Sequence, residues 1–262
     1  MEVAIVCKPS SQNVKRKVEE FLESKNIKFK SFDTPTNELE NFDFIISVGG
    51  DGTILKILQE IKNCPPIFGI NTGRIGLLTH VSPSEFKTYL ERILSGEFEI
   101  EECMRLECKI SNSSGEVLIR AVNEIAILTS LPAKLIEFSI FIDNVPIDTL
   151  RGDGLLISTP IGSTAYALSA GGPIVDPELS SFIIVPIAPF KLKWKPWVIN
   201  PNRTIKVILH PDKSAFVVAD GQKLIKVEPK TEISVFKSKY PAKFFKIKRR
   251  LEKIAKNIEE IK

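Results

Sequence analysis

The chain has 262 residues, of which 43% are hydrophobic, and it carries a formal net charge of +4 at neutral pH. This length allows one large domain or two smaller ones with sizeable cores, and the mixing of basic with acidic residues gives no sign of a nucleic-acid surface. The first residues lack the basic start and apolar core of a signal peptide, and no apolar run is long enough to span a bilayer. We therefore expect neither a nucleic acid nor a membrane as a partner.

The cysteines show no arrangement typical of a disulfide framework or a metal site. None of the four forms a C-x-x-C pair, and none has a histidine at ligand spacing. We expect all of them to be reduced packing residues in a cytoplasmic protein. They are Cys7, Cys64, Cys103 and Cys108.

Strands and helices alternate through the first part of the chain. Their apolar periodicity predicts strands at 3–6, near 29, at 44–48 and at 67–70, and helices at 14–22 and 54–61. A third helix is expected to open with Ser82 as N-cap and Pro83 in its first turn, and Gly96 fits the position just after its end. This order predicts an α/β domain over residues 1–98, with a parallel-rich sheet and flanking helices.

The pattern changes after about residue 98. Apolar and polar residues alternate over 104–110, and many short strands separated by turn residues follow. We therefore predict a β-rich, sandwich-like domain over 99–262 that ends in an amphipathic helix from 244 onward. The alternative for this tail is binding of an anionic surface by Lys246, Lys248, Arg249 and Arg250.

The most informative stretch of the first part is a glycine turn, residues 49–53, with the sequence Gly-Gly-Asp-Gly-Thr. It follows an apolar strand and precedes a helix, so it lies at the carboxyl end of a strand, where open α/β sheets bind ligands. Glycines permit unusual backbone conformations and the close approach of a ligand, and a helix N-terminus favours phosphate. Asp51 would repel phosphate, so we expect it to act as a base on an attacking hydroxyl or to hold a metal. The combination predicts phosphoryl transfer to an alcohol.

Three polar stretches of the second part are candidates for binding or for structure. Asn123-Glu124 interrupts two apolar strands and is either a plain turn or bulge, or an amide and a carboxylate that bind a sugar diol. Residues 158–173 are dense in hydroxyls and glycine, which favours a polar pocket with Tyr166 as a flat face. The alternative is an ordinary loop with a helix start at Ser163. Asp220-Gly221 is interpreted as a hairpin turn, and both histidines are interpreted as structural.

Together these motifs resemble those of the NAD kinases, which phosphorylate the 2′-hydroxyl of the adenosine ribose of NAD to make NADP. P-loop, Rossmann and protein-kinase fingerprints are absent from the sequence. The resemblance covers nearly the whole chain and rests on residues 49–53, 123–124, 152–155, 158–160, 162–166 and 169–173. The piece at 158–173 is the most specific, whereas lipid kinases and phosphofructokinases also carry turns like 49–53. Ile161 stands where many members of the family have threonine.

The resemblance implies an α/β N-terminal domain, a β-rich C-terminal domain and a site between them. It implies that Asp51 is the base for the 2′-hydroxyl. Phosphate is expected at the turn, on Gly49, Gly50, Gly52 and Thr53. The NAD site is expected to be lined by Gly52, Asn123, Glu124, Asp153, Thr164, Ala165, Tyr166 and Ser169. Further contacts are implied for Lys56, Lys134, Arg151 and Gln222.

The resemblance also implies substrates and partners. The donor is ATP, another nucleotide or polyphosphate, accompanied by Mg²⁺ or another divalent cation, and the protein is a homodimer or homotetramer whose sites draw on two subunits. One alternative is a lipid or sugar kinase that shares only the glycine turn. A second alternative is a non-enzymatic regulator that binds NAD or NADP. The Asn123-Glu124 pair argues against the first, and the retained Asp51 argues against the second.

Overall fold

A computed structural model describes residues 1–73, 76–112, 115–131, 133–191, 193–211, 213–247 and 250–260. The helices are α1 (Gln12–Ser24), α2 (Asp51–Glu60), α3 (Phe86–Leu94), α4 (Tyr166–Ser169) and α5 (Arg250–Glu260). The first strands are β1 (Glu2–Cys7), β2 (Lys28–Phe32), β3 (Phe44–Gly49), β4 (Ile67–Asn71), β5 (Ile100–Cys103), β6 (Leu106–Asn112), β7 (Gly115–Ala121), β8 (Glu124–Thr129) and β9 (Ile136–Ile142). The remaining strands are β10 (Val145–Gly152), β11 (Gly154–Ser158), β12 (Phe182–Ile187), β13 (Trp197–Ile199), β14 (Ile205–Leu209), β15 (Ala215–Ala219), β16 (Lys223–Val227), β17 (Glu232–Lys237) and β18 (Ala242–Phe245). Short 3-10 helices span Pro9–Ser11, Asn37–Asn41 and Ile161–Thr164.

The chain forms two compact units, one of Met1–Cys103 with the described residues from Tyr240 onward, and one of Met104–Lys239. The sheet of the first unit has the strand order β2-β1-β3-β4-β18-β5. Its neighbours are parallel except for β5, which runs antiparallel to β18. The predicted α/β architecture is therefore confirmed. Helices α1 and α3 bury their apolar stripes, including Leu22 and Leu90, on the sheet face that carries Ile46 and Phe68.

The described residues from Tyr240 onward form part of the first unit, whereas the sequence analysis placed them in a second domain over 99–262. Phe244 and Phe245 were predicted as helix but lie in β18, which pairs with both β4 and β5. The amphipathic helix α5 begins only at Arg250. Lys248 and Arg249, which belonged to the proposed anionic-surface patch, lie outside the described residues.

Helix α3 also begins later than predicted. It starts at Phe86, and a turn precedes it, in which the backbone nitrogen of Glu85 donates to the carbonyl of Ser82 at 3.1 Å. The backbone nitrogen and hydroxyl of Ser82 donate to Glu85 Oε2 at 2.9 and 2.7 Å, contacts that are typical of a capping box. The predicted end is confirmed, since Gly96 follows the helix with φ +79°, a conformation that favours glycine.

The second unit consists of two antiparallel six-stranded sheets, with the orders β10-β9-β14-β17-β6-β7 and β13-β12-β11-β8-β15-β16. One core cluster draws side chains from both sheets, such as Phe138 and Val235 from the first and Ile127 and Phe182 from the second. The predicted sandwich is thus confirmed. Helix α4 covers the outer face of the second sheet, where Ala167 packs with Leu156 and Val185. None of the helices that the structure describes is long and apolar enough to cross a membrane.

Candidate active site

The glycine turn lies where strands β3 and β4 end. The predicted order of strand, glycine turn and helix is present, but strand β3 extends to Gly49 and helix α2 begins at Asp51, three residues earlier than predicted. The loop after β4 returns to the turn, because the backbone nitrogen of Thr72 donates to the carbonyl of Gly49 at 3.0 Å. The loop after β1 joins them through Ser11, whose hydroxyl lies 2.8 Å from that of Thr72. Three loops at the carboxyl ends of parallel strands therefore meet around the turn.

The carboxylate of Asp51 is held in one orientation by backbone donors. Its Oδ2 accepts a hydrogen bond from the backbone nitrogen of Leu77 at 2.7 Å, and Oδ1 accepts one from that of Thr79 at 2.9 Å. The Thr79 hydroxyl adds a third, at 3.2 Å to Oδ1. A carboxylate offers about four acceptor positions, so the group keeps room for a further donor such as a ligand hydroxyl. Sequence reasoning missed this clamp because backbone donors leave no side-chain pattern.

The glycines of the turn are not required for left-handed backbone conformations. The positive-φ glycines of the described chain are Gly96, Gly115, Gly171 and Gly221, so that part of the interpretation is wrong for this turn. Gly49 is required by packing, since a Cβ there would lie 2.1 Å from Thr53 Oγ1. A Cβ on Gly50 or Gly52 would meet nothing within 4 Å. The space over these two glycines is open, and it lies at the positive end of α2.

In the second unit, strand pairing brings three separate sequence motifs to one end of a sheet. Strand β8 begins at Glu124 and lies between β11 and β15. Glu124 pairs with Ser158 on one side, and Ile125 pairs with Ala219 on the other. The Asn123-Glu124 pair, the start of the hydroxyl-rich stretch and the Asp220 turn therefore lie side by side.

Asp220 has a larger role than the predicted hairpin turn. The turn itself is present, with φ of +50° at Asp220 and +64° at Gly221. The Asp220 side chain, however, is only 4% exposed, and it accepts hydrogen bonds from the backbone nitrogens of Val122, Asn123 and Glu124 at 2.8, 2.7 and 3.1 Å. Asp220 thus fixes the backbone of the Asn123-Glu124 pair. The sequence did not reveal this role, because the Asp-Gly dipeptide is fully accounted for as a turn.

Burial changes the acidity of both carboxyl groups. Desolvation raises the pKa of Glu124 to about 8, the nearby Asp220 raises it as well, and a hydrogen bond from the Tyr166 backbone opposes them. Desolvation also raises the pKa of Asp220 to about 6, against the three backbone donors and the positive charge of buried Arg105. At neutral pH Glu124 is therefore mainly a neutral acid, which both donates and accepts hydrogen bonds.

These shifts predict how stability varies with pH. The folded pKa of Glu124, about 8, lies above its ordinary value of 4.5, so the contribution of this group to stability is fully present below 4.5 and is lost as the pH rises through 8. The free energy of unfolding of the wild type should therefore fall between pH 4.5 and 8. We expect that of Glu124→Gln to fall by a few kcal/mol less. Urea unfolding at about pH 5 and about pH 8.5 measures it, with Glu178→Gln, an exposed site, as control. Parallel pH dependence of the wild type and Glu124→Gln would contradict the assignment.

The hydroxyl-rich stretch divides into a buried part and an accessible part. Ser158 Oγ and the backbone nitrogen of Thr159 donate to the carbonyl of Asn123 at 3.0 and 2.9 Å, and Thr159 Oγ1 donates to that of Val122 at 2.6 Å. Gly162 packs so closely that a Cβ would lie 2.1 Å from the Asn123 carbonyl oxygen. These groups position the Asn123-Glu124 segment. The residues expected to line the NAD site are more accessible: Thr164 and Ala165 are half-buried, and Tyr166 and Ser169 are exposed.

Three of the expected site residues lie away from Glu124. Asp153 directly precedes β11, Lys134 contacts Thr129 at the far end of β8, and Arg151 lies in β10, which belongs to the other sheet. The carbonyl of Asp153 accepts a hydrogen bond from the backbone nitrogen of Thr129 at 2.8 Å. The carbonyl of Lys134 accepts one from Thr129 Oγ1 at 2.6 Å. Arg151 is exposed and forms an ion pair with Glu137 at 3.7 Å. The five residues of β11 separate Asp153 from the end of the sheet that carries Glu124, a distance of about 13–16 Å. Within one chain, these three residues do not join the Glu124 cluster.

Two further predicted residues lie near the glycine turn and near the Asp220 turn. Lys56 lies on the exposed side of α2, in the first unit. Gln222 is exposed, and its Nε2 donates to the carbonyl of Asp220 at 3.3 Å. His80 is buried, accepts from the Gly69 backbone nitrogen through Nδ1 at 2.8 Å and stacks on Phe68, which fits the structural role predicted for it. In the described ranges, no three His, Cys, Asp or Glu side chains converge as a metal-binding group.

Comparison with known proteins identifies the family. The model of the ATP-NAD kinase N-terminal domain matches residues 5–98, and that of the ATP-NAD kinase C-terminal domain matches residues 122–247. An NAD kinase of Archaeoglobus fulgidus is 48% identical over 261 residues, which cover 100% of both chains. An NAD kinase of Methanosarcina acetivorans is 42% identical over 217 residues, covering 82% of this chain and 78% of that protein.

Solved structures agree with this assignment. An NAD kinase from Archaeoglobus fulgidus in complex with ATP superposes with a TM-score of 0.87 at 47% identity and covers 97% of this chain and 99% of its own. A yeast NADH kinase complexed with NADH has a TM-score of 0.88 at 21% identity, with 99% and 87% of the two chains covered; at that identity it shows a shared fold alone. By sequence over its full length and by fold, the chain belongs to the NAD kinase family.

Proposed function

We propose that Asp51 is the general base of this NAD kinase when it phosphorylates the 2′-hydroxyl of the adenosine ribose of NAD. The observation that carries the proposal is the clamp of three hydrogen bonds on its carboxylate, beside the open space over Gly50 and Gly52. A ribose hydroxyl is a poor nucleophile until its proton is removed as it attacks. Positioned base catalysis supplies about 10²–10⁴-fold of the rate.

The phosphates of the donor are proposed to bind over the glycine turn. The N-terminus of α2 presents free backbone N–H groups and a positive dipole there, and the open side of Gly50 and Gly52 lets phosphate oxygens reach them. The turn residues proposed for this contact are Gly49, Gly50, Gly52 and Thr53. Mg²⁺ is proposed to enter with the donor as MgATP, bound to the phosphate oxygens and neutralising charge on the transferred group.

The nucleoside is proposed to bind at the Asn123-Glu124 end of the second unit. Oε2 of Glu124 is buried and has no hydrogen-bond partner among the described residues, a costly state that a bond to a ribose hydroxyl would relieve. Tyr166 donates a backbone hydrogen bond to the Glu124 carboxyl group, and its side chain, 40% exposed, is proposed to offer a flat surface to the nucleoside. The proposed nucleoside contacts of the second unit are Asn123, Glu124, Thr164, Ala165, Tyr166, Ser169 and Gln222. For the first unit, Gly52 and Lys56 are proposed as substrate contacts.

The separated group of Lys134, Arg151 and Asp153 supports a homo-oligomer. Asp153 lies one strand length away from Glu124 in the same chain, Lys134 contacts Thr129 at that same end, and Arg151 lies in the other sheet. We therefore propose that they contact NAD bound to a partner copy, in a dimer or tetramer. Sedimentation at micromolar concentration tests the assembly. A cytoplasmic location is proposed as well, on the observation that the four cysteines are buried and form no disulfide.

The direct test of the activity is product formation with parallel donors. The protein is incubated with NAD and Mg²⁺, together with either ATP or polyphosphate, and NADP is detected with an NADP-specific dehydrogenase. We expect NADP with ATP and no phosphorylation of diacylglycerol or fructose 6-phosphate. The absence of NADP with every donor would contradict the assignment, and tight NADP binding without turnover would identify a regulator instead.

The open glycine positions give a variant that separates stability from activity. We expect Gly52→Ala to keep or raise the Tm, because alanine is favoured over glycine in a helix by about 1 kcal/mol. Its methyl group would occupy the space proposed for phosphate, so kcat/KM for MgATP should fall roughly tenfold or more. Gly49→Ala is the contrasting variant and should lower the Tm, since its Cβ would lie 2.1 Å from Thr53 Oγ1. Wild-type kcat/KM in Gly52→Ala would contradict phosphate binding at this turn.

A further inference from the structure

The segment that clamps Asp51 is itself held from the end of the chain. Leu77 and Thr79 donate their backbone N–H groups to the Asp51 carboxylate. The carbonyl groups of the same two residues accept hydrogen bonds from helix α5. Arg250 Nη1 donates to the Leu77 carbonyl at 2.9 Å, and Lys253 Nζ donates to the Thr79 carbonyl. Each clamp residue thus bonds the carboxylate through its nitrogen and a cation through its oxygen.

We propose that Arg250 and Lys253 are positioning residues for Asp51, acting through the backbone of Leu77 and Thr79. This inference rests on the proposed role of Asp51 as general base. One turn of helix separates the two cations, which places them on the same face of α5. Hydrogen bonds from cations to carbonyl groups are roughly twice as strong as neutral ones, so the pair restrains the segment more firmly than ordinary loop contacts would.

Arg250 is fixed on its other sides, which makes it a rigid support. Its Nη2 lies 2.6 Å from Glu101 Oε1, and its side chain is only 9% exposed. Its guanidinium group lies 4.7 Å from the centre of the Phe244 ring. Glu101 lies in β5 and Phe244 in β18, so the cation ties the clamp segment to two strands at the edge of the first sheet.

The neighbouring His80 adds no third cation to this cluster. It packs between Phe68 and Phe244. Burial holds the pKa of His80 well below its usual value, and the charges of Arg250 and Lys253 lower it further. The positive charge on the carbonyl side of the segment therefore comes from α5.

The expected consequence of losing the cations is a misplaced base rather than a lost substrate site. If the 77–79 segment shifts, the Asp51 carboxylate loses its alignment with the hydroxyl, and a displacement of about 1 Å can lower a rate by about 10²-fold. The proposed nucleoside contacts on the second unit are untouched. The effect should therefore fall on kcat, with KM for NAD little changed.

The test compares Lys253→Met and Arg250→Met with the conservative variants Lys253→Arg and Arg250→Lys in the full chain. For Lys253→Met we expect kcat to fall about tenfold or more, KM for NAD to stay within about twofold and Lys253→Arg to recover most of the rate. Leu251→Ala, on the exposed side of α5, is the matched control and should keep the wild-type kcat. Circular dichroism and Tm establish that each variant is folded. If Arg250→Met does not fold, the comparison of Lys253→Met with Lys253→Arg tests the inference by itself.

A double-mutant cycle with Asp51→Asn separates positioning from a general structural role. If Lys253 acts through Asp51, Lys253→Met should cost almost nothing further in the Asp51→Asn background, whereas a structural effect would appear in full. An equally large loss of kcat in both backgrounds would overturn the inference and leave the role of Asp51 as base intact. The same holds if Lys253→Met is folded and keeps the wild-type kcat while Asp51→Asn is slow. Wild-type kcat in Asp51→Asn would refute the base itself, and the inference with it.

Discussion

Replacing Asp51 with asparagine is expected to lower kcat for NADP formation by about 10²–10⁴-fold while the Kd for NAD changes little. The variant removes the proton acceptor and leaves the proposed nucleoside contacts, all in the second unit apart from Gly52 and Lys56, as they are. The measurement is steady-state turnover at saturating NAD and MgATP, with NAD binding determined by calorimetry.

The clamp on Asp51 supplies the control for this variant. Asparagine keeps one oxygen but turns an NH₂ group toward one of the two backbone donors, Leu77 or Thr79, so a loss of stability of about 1 kcal/mol is expected as well. Thr79→Val removes one of the three hydrogen bonds and keeps the carboxylate. It should lower kcat far less than Asp51→Asn. A near-normal kcat for Asp51→Asn would remove this residue from the role of base.

Asp220→Ala should destabilise the second unit by roughly 3 kcal/mol or more, since it strands three backbone donors in a buried site. The same change releases the Asn123-Glu124 backbone, so NAD affinity should fall roughly tenfold or more. Asp220→Asn should be milder, because asparagine keeps one acceptor and tolerates positive φ. Chemical unfolding and calorimetry with NAD provide the two measurements.

Asp143 offers a matched comparison for Asp220. It also occupies a hairpin turn with positive φ, 48°, and its carboxylate accepts from the Thr204 backbone nitrogen at 2.8 Å. Because it is exposed, Asp143→Ala should have a much smaller effect on stability and none on NAD affinity. Equal effects of the two alanine variants would show that Asp220 is only a turn residue.

The sequence predicted those parts of the site that are carried by local patterns. The strand–turn–helix around Asp51 follows from an apolar run, glycines and a helical period, and the antiparallel second unit follows from alternation. The tail was assigned less well, because Phe244, Phe245 and Ile247 fit a helical spacing as well as a strand. Pairing of β18 with β4 and β5 decided between the two.

Contacts between distant residues explain what the sequence did not reveal. The clamp on Asp51 uses backbone N–H groups of Leu77 and Thr79, which any residue type would supply. Asp220 is 97 residues away from Asn123 along the chain, and a turn signal already accounted for it. Asp153 and Ser158 are close in sequence, yet β11 holds them at opposite ends of a strand.

The central claim is that Asp51 acts in catalysis and Asn123 in NAD binding. It is tested most directly by measuring kcat and the Kd for NAD in Asp51→Asn and in Asn123→Ala. Asn123 directly precedes β8 and is half-buried, so part of its side chain is accessible to a nucleoside. We expect Asp51→Asn to lose kcat while its Kd for NAD stays unchanged. We expect Asn123→Ala to weaken NAD binding by roughly tenfold and to keep most of its kcat at saturation. These roles would be contradicted if Asp51→Asn lost NAD affinity and kept its kcat. They would also be contradicted if Asn123→Ala lost kcat and kept its NAD affinity.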